Sequence, residues 1–402
     1  MLKNVFILII VLTASCGRAQ TGGIDAEPEV LSTVRITTGA ERMDAYIGLL
    51  RGKRIGVVAN QTSLVGRIHL VDTLLESGIN LVRVFSPEHG FRGDAEAGAY
   101  INNERDERTG LPVVSLYGSR KKPVPADIED LDMILFDLQD VGARFYTYIS
   151  TLTYVMEACA EQGIQLLVLD RPNPNGYYID GPVLEKEFTS FVGMHPVPVV
   201  HGMTMAEYAR MVNGEKWLAG AVKCDLKWVT CEGYTHASRY SLPVRPSPNL
   251  PDSVAVALYP SLCFFEGTVI SVGRGTEKPF KVIGHPEFHT GDYSFIPKSI
   301  KGVSENPPHK DKVCHGFDLS SAAPDITENG GLRLEYLLLM YNTLKEKTPF
   351  FNSFFEKLTG TATLRKQIIE GKQADEIYAS WKPGLDAFRE VRARYLLYPD
   401  FE

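Results

Sequence analysis

At 402 residues, 44% apolar and 23% charged, the chain has the composition of a soluble globular protein and length enough for two or three domains. Its 49 acidic and 42 basic residues leave a net charge of -7, without the basic excess of a nucleic-acid binder. Beyond the N-terminus no apolar run reaches the roughly eighteen residues of a membrane span.

Residues 1–20, "MLKNVFILIIVLTASCGRAQ", read as a targeting segment: Lys3, an apolar stretch from Val5 to Leu12, then a small-residue exit at Thr13-Ala14-Ser15-Cys16. This resembles a bacterial lipoprotein signal with Cys16 as the lipid-bearing residue, although Thr13 stands where such signals carry Leu. Ordinary cleavage near Ala19-Gln20 is the alternative, and both imply export to the periplasm or the bacterial envelope. Any membrane attachment then runs through the Cys16 anchor. Residues 21–35 form a polar tether. The five later cysteines show no CxxC pair, and Cys224 and Cys231, seven apart on one strand, stand roughly 23 Å apart. Buried free thiols are expected.

After the tether, apolar runs at 53–60, 80–86, 111–118, 131–139 and 164–172 alternate with helical patterns at 69–78 and 145–163. Continuous Val/Ile/Leu strands alternating with helices predict a parallel sheet covered on both faces, a Rossmann-like α/β fold. "TMAEYARMVNGE" adds a helix and "CDLKWVTC" an edge strand. Prolines at 242–253 mark a change, placing a domain boundary near residue 258. The expected layout is a catalytic domain at 36–258 and a smaller α+β auxiliary domain at 259–402, with a cleft between them. Residues 257–280 read as irregular and site-like, and 331–401 as several helices.

Three predicted strands end in polar clusters at 86–92, 137–144 and 170–175. Ligands of open parallel sheets bind beyond such carboxyl ends. "VVANQTS" follows the first strand where a dinucleotide site needs GxGxxG, and "GRGTE" (273–277) lacks a P-loop ending. GxSxG is absent, and in "HPEFH" (285–289) Pro286 breaks the helix that an HExxH zinc site requires. Neither metal nor nucleotide is implied. The remaining carboxylates, arginines, amides and aromatics suit glycoside hydrolysis, in which an acid protonates the leaving oxygen and a second group supports the oxocarbenium-like centre.

Seven segments in order carry a resemblance: "SPEHGFRGDAEAG", "FDLQDVGARFYTYISTL", "DRPNPNG", "DGPVLE", "HGMTMAEYA", "PSPNLP" and "FEGTVISVGRGTEKPF". From about residue 42 onward the chain resembles the NamZ family of exo-β-N-acetylmuramidases. The resemblance implies release of N-acetylmuramic acid from non-reducing ends of peptidoglycan-derived glycans or muropeptides. It also implies a Rossmann-like domain with a smaller C-terminal domain, and a catalytic glutamate at Glu88.

Glu88 is thus the expected general acid, its proton held by burial or by neighbouring Asp94 and Glu96. Asp137 and Asp140 are candidates for the second group, and the substrate's own acetamide oxygen is the alternative. His89, Gln139, Asp170 and Asn173 stand in the same clusters, with His201, Asn249 and Glu266 behind them. Asp170 reads equally as a pin for its own loop. The lactyl carboxylate of N-acetylmuramic acid calls for a cation. Arg92, Arg144, Arg171 and Arg274 are the candidates, Arg92 first because it follows Glu88 by four residues. Arg144 with Tyr146, and Arg274 with Glu277, read equally as structural pairs. Phe145, Tyr146 and Tyr148 read as helix-packing aromatics with one available for a sugar. Two other functions remain open: a non-catalytic muropeptide-binding lipoprotein, and an esterase using Ser86.

Overall fold

The computed structural model describes residues 35–88, 90–92 and 104–401. β1 (Ile55–Ala59), β2 (Leu81–Ser86), β3 (Glu104–Arg105), β4 (Pro112–Ser115), β5 (Met133–Asp137), β6 (Gln165–Leu169) and β7 (Leu226–Val229) form one sheet. Its order is β3-β4-β2-β1-β5-β6-β7. All neighbours run parallel except β3, which lies antiparallel on β4 at the edge. The chain builds outward from β1 to β4, returns, and builds outward again through β7. Strand order therefore reverses between β1 and β5, the crevice in which Rossmann-like sheets hold their ligands. The expected fold class is borne out.

The two-residue period of the strands sorts their side chains into two cores. Val57, Ala59, Val84, Met133, Leu135, Leu167 and Leu169 pack with Tyr46 and Leu50 of α1 (Met43–Leu50) and Leu70 and Leu74 of α2 (Leu70–Glu76). Val58, Phe85, Ile134, Phe136, Leu166 and Val168 pack on the other face with α3 (Tyr148–Gln162) and α4 (Met205–Gly214). This second core runs without a break into Tyr259, Phe264, Phe280 and Leu337, so residues Ile36–Glu402 form one unit. There, β8 (Val282–His285), β9 (Tyr293–Phe295) and β10 (Cys314–Asp318) make an antiparallel sheet in the order β8-β10-β9. Helices Glu335–Leu344, Thr363–Ile369 and Ala374–Ala393 complete the C-terminal part. All five described cysteines are buried and free, as expected.

Two local expectations change. α3 begins at Tyr148 and not at residue 145, which leaves Phe145, Tyr146 and Thr147 in the turn before it. The stretch read as irregular begins as a helix, α5 (Ser253–Leu262), despite Pro260. Its N-cap is Asp252, whose Oδ1 accepts from the Ala255 N–H. Pro260 lacks the N–H that would bond Val256, four residues back. The Asn175 side-chain amide serves that carbonyl at 3.2 Å and the Val141 carbonyl at 2.8 Å. An asparagine of the "DRPNPNG" loop thus makes a proline tolerable in a helix more than eighty residues away.

Asn175→Ala should therefore leave two buried carbonyls unpaired and lower stability by about 2–4 kcal/mol. Urea melts check this; a loss below about 0.5 kcal/mol would show that Val256 needs no outside donor.

Candidate active site

The parallel strands end level with one another. Val58 of β1 is in register with Phe85 of β2 and Phe136 of β5, and Ser86 with Ser115 of β4. Beyond these ends the chain turns into Asn60, Glu88 and Leu138. Asn60 is fully buried and uses every polar group it has. Its N–H donates to Ser63 Oγ (3.0 Å), its Oδ1 accepts from Thr62 N (2.9 Å) and Thr62 Oγ1 (2.6 Å), and its carbonyl meets His69 Nε2 (2.9 Å). Its Nδ2 donates to the Tyr148 hydroxyl at 2.7 Å. That hydroxyl lies 3.4 Å from the Glu88 carbonyl, which ties the β2 exit to the start of α3.

The Glu88 carboxylate is held by a hydroxyl. Thr147 Oγ1 lies 3.2 Å from its Oε2, so the residue before α3 reaches Glu88 and leaves the helix uncapped by its side chain. Burial first, then the charge of Glu88, raises the Tyr117 phenol well above its usual range. A hydroxyl donates to an ionised carboxylate and accepts from a protonated one, so the Thr147 contact suits a group that cycles between the two.

Glu88 shares a pocket of about 70 Å³ with Tyr146, Thr147, Ser247, Tyr259, Arg274 and Phe280. Its walls come from both halves of the chain. Larger depressions of about 690 and 790 Å³ lie elsewhere and border no residue directly beyond a parallel strand, and one of about 120 Å³ is lined by Pro174 and Asn175 beyond β6 but holds no carboxylate among the described residues. A space of 70 Å³ is smaller than a whole sugar ring fills. Among the described residues Glu88 is the only carboxylate lining it. Arg274 is brought there by "GRG": Gly273 and Gly275 hold φ of 76° and 78°, and a Cβ on Gly275 would sit 2.4 Å from the Lys298 carbonyl oxygen. Its Nε donates to Glu266 Oε1 at 2.6 Å, and its guanidinium lies 5.0 Å from the Phe280 ring centre. Nε is the only Arg274 atom hydrogen-bonded among the described residues, which leaves both Nη groups free for an anion.

The other sequence candidates are placed elsewhere. Asp137 shares its strand face with Met133 and Leu135, so it points toward α1 and away from Tyr148. There Arg171 holds it through Nε (2.6 Å) and Nη2 (2.9 Å), and Arg171 also donates to the Leu64 carbonyl. The two neutralise each other inside the fold. Arg92, expected first at the lactyl group, is held by Asp106 (2.8 Å) and Asp72 (3.2 Å). Four residues of separation said nothing about where its guanidinium points. Arg144 is fully buried and donates to the Pro182, Val197 and Leu358 carbonyls; burial lowers its pKa to about 9. It ties the two halves of the chain together.

Asp170 accepts from Thr204, Ala206 and Tyr398, so it pins its loop. Gln139 donates to the Asp140 and Pro172 carbonyls, and Asn173 to that of Met203. Asn249 donates to Val303, and the Tyr146 hydroxyl to Pro246. Arg274 pairs with Glu266 and not with the exposed Glu277. Ser86 is fully buried with its Oγ at its neighbour's carbonyl, which removes it as an esterase nucleophile. His89, Asp94, Glu96 and Cys16 lie outside the described residues. Asn60, Tyr117, Thr147, Tyr259 and Phe280 were not singled out in the sequence; Thr147 and Phe280 lie within the segments that carry the resemblance, and "VVANQTS" was read only as a missing glycine fingerprint.

Asp140 is buried beside His201, whose Nε2 stands 3.7 Å from Oδ2. Burial raises Asp140 to about 7, opposed by the Gly142 and Val141 N–H groups. Burial, with Arg392 and Arg144 nearby, lowers His201 to about 3. Neither lines the Glu88 pocket.

Two family descriptions match the chain: "Exo-beta-N-acetylmuramidase NamZ, N-terminal" over residues 55–254 and its C-terminal counterpart over 257–398. Peptidoglycan beta-N-acetylmuramidase NamZ of Bacillus subtilis (strain 168) is 38% identical over 402 residues, spanning 94% of this chain and 95% of that protein. Crystal structures of two DUF1343 family proteins from Bacteroides fragilis are similar as well. One has a TM-score of 0.85 at 47% identity and the other 0.75 at 28%, each covering 91% of this chain and 99% of its own.

The raised pKa of Asp140 has a measurable consequence. The unfolded chain ionises this group near pH 4, whereas the folded protein keeps its proton up to about 7. Its contribution to stability is full below about pH 4 and is lost as pH rises through 7. Asp140→Asn should therefore gain in Tm relative to wild type between pH 4 and pH 8. A difference that stays flat across that range would contradict the buried, protonated state.

Proposed function

The chain belongs to the NamZ family, and on that premise we propose that its Glu88 pocket removes N-acetylmuramic acid from the non-reducing ends of peptidoglycan fragments. The protein is a glycosidase, an exo-β-N-acetylmuramidase. The observation that carries the site assignment is the pairing in one pocket of a hydroxyl-held carboxylate, Glu88, with an arginine, Arg274, whose Nη groups make no hydrogen bond among the described residues.

Glu88 supplies the proton to the leaving glycosidic oxygen. Arg274 meets the lactyl carboxylate, which distinguishes N-acetylmuramic acid from N-acetylglucosamine. The second group of a two-carboxylate scheme is supported by neither Asp137, held by Arg171, nor Asp140, buried beside His201. Capture of the oxocarbenium by the substrate's own acetamide oxygen fits a pocket with one described carboxylate. Export is part of the same reading: the apolar leader and Cys16 support delivery to the envelope, with a lipid on Cys16 as the anchor.

Glu88→Gln should lower kcat on a MurNAc-GlcNAc disaccharide by about 10² to 10⁴ with the Tm unchanged. Near-full turnover would rule out the acid role. Arg274→Ala should weaken transition-state binding of a chromogenic N-acetylmuraminide by about 2–5 kcal/mol while barely changing residual N-acetylglucosaminide hydrolysis. Equal losses on both substrates would make Arg274 a structural residue.

A further inference from the structure

Among the described residues β7 is an edge strand, bonded on one side only, and Trp228 on it is 38% exposed. Around this indole lies a depression of about 790 Å³ that shares no residue with the Glu88 pocket. β7 stands four strands along from β2, roughly 19 Å at the usual strand spacing. Among the described residues four cations line the depression, Arg210, Lys216, Lys223 and Arg394, against one carboxylate, Asp225.

The charges are largely uncompensated. Arg210 donates to the Tyr395 and Leu396 carbonyls, which hold its guanidinium 5.2 Å from the Trp228 ring centre without cancelling its charge. Arg394 is paired with Glu215 at 3.2 Å. Lys216 and Lys223 are exposed and carry no ion pair among the described residues. Asp225 accepts from Gln165, outside the groove. Two of the lining residues, Lys216 and Ala221, hold left-handed backbone at φ of 58° and 54°. Such strain collects at binding surfaces.

A protein of net charge -7 that gathers cations around an exposed tryptophan presents a local surface for an anion with an apolar face. We propose that this groove is a second binding site for peptidoglycan, in which the indole packs on a sugar ring and the cations meet the carboxylates of the glycan and its peptide stems. The proposal rests on the glycosidase reading. It gives an enzyme that cuts at chain ends a hold on the body of the same polymer. Anionic lipid would meet the cations equally well, but a flat bilayer offers no ring for a tryptophan set within a groove.

Co-sedimentation of the protein with purified insoluble peptidoglycan tests the site, using wild type, Trp228→Ala and the Lys216→Glu/Lys223→Glu double variant. Both variants should bind about ten-fold or more weakly, and wild-type binding should fall as salt rises. Turnover of a small chromogenic N-acetylmuraminide should stay unchanged in both. Undiminished sedimentation of both variants would overturn the proposal. So would wild-type binding to phosphatidylglycerol vesicles without binding to peptidoglycan. Turnover reads the Glu88 pocket and sedimentation reads the groove, so failure of the glycosidase reading shows separately, as a wild type that sediments but does not cleave.

Discussion

The buried amide of Asn60 joins the sheet to the pocket. It stands at the carboxyl end of β1, where strand order reverses, and its four polar groups hold the following turn, His69 and Tyr148. A buried amide is stable only when each donor and acceptor is met, so this arrangement permits little displacement. Tyr148 is thereby fixed at the start of α3, and with it Thr147, whose hydroxyl holds Glu88. The orientation of the proposed acid is thus inherited from a residue that does not line its pocket. In nucleotide-binding relatives of this architecture, glycines at the same turn admit a phosphate; here a filled hydrogen-bond cluster occupies it.

Charge selectivity follows from which cations are already engaged. Arg171 is closed off by Asp137, Arg92 by Asp72 and Asp106, and Arg144 by three carbonyls. A guanidinium with its partners in place gains little from another anion, whereas one facing a pocket with two Nη groups unbonded among the described residues gains a bidentate contact. Arg274 is in that position because two left-handed glycines turn it there and Glu266 occupies only its Nε. With a net charge of -7, long-range attraction of an anionic glycan is absent, and recognition depends on local cations such as these.

Much of the architecture was legible in the sequence. Apolar runs spaced by helical patterns marked each central strand of the parallel sheet, and the glycine ending α3 marked its C-terminus. Asp137 shows where legibility stopped. Its parity with Met133 and Leu135 was readable, but which sheet face α3 would cover was not, so a carboxylate on the α1 side was counted toward the site. Arg92 failed for a related reason, since Asp72 lies on a different element. α5 was hidden by Pro260, whose missing bond concerns Val256 and is made good by Asn175 through tertiary contact. Glu88 and Arg274 were both legible as candidates, in polar, glycine-bearing loops within the segments that carry the resemblance, but nothing in the sequence showed that the two meet.

The claim on which the account depends is that Glu88 delivers a proton to the leaving oxygen, and leaving-group dependence tests it most directly. A 4-nitrophenyl leaving group departs with little help, whereas a sugar hydroxyl needs protonation. Comparing wild type with Glu88→Gln on both N-acetylmuraminides should give a much larger loss on the disaccharide than on the nitrophenyl substrate. Equal losses on the two would mean that Glu88 acts on the sugar or on the fold, and that the proton comes from another group.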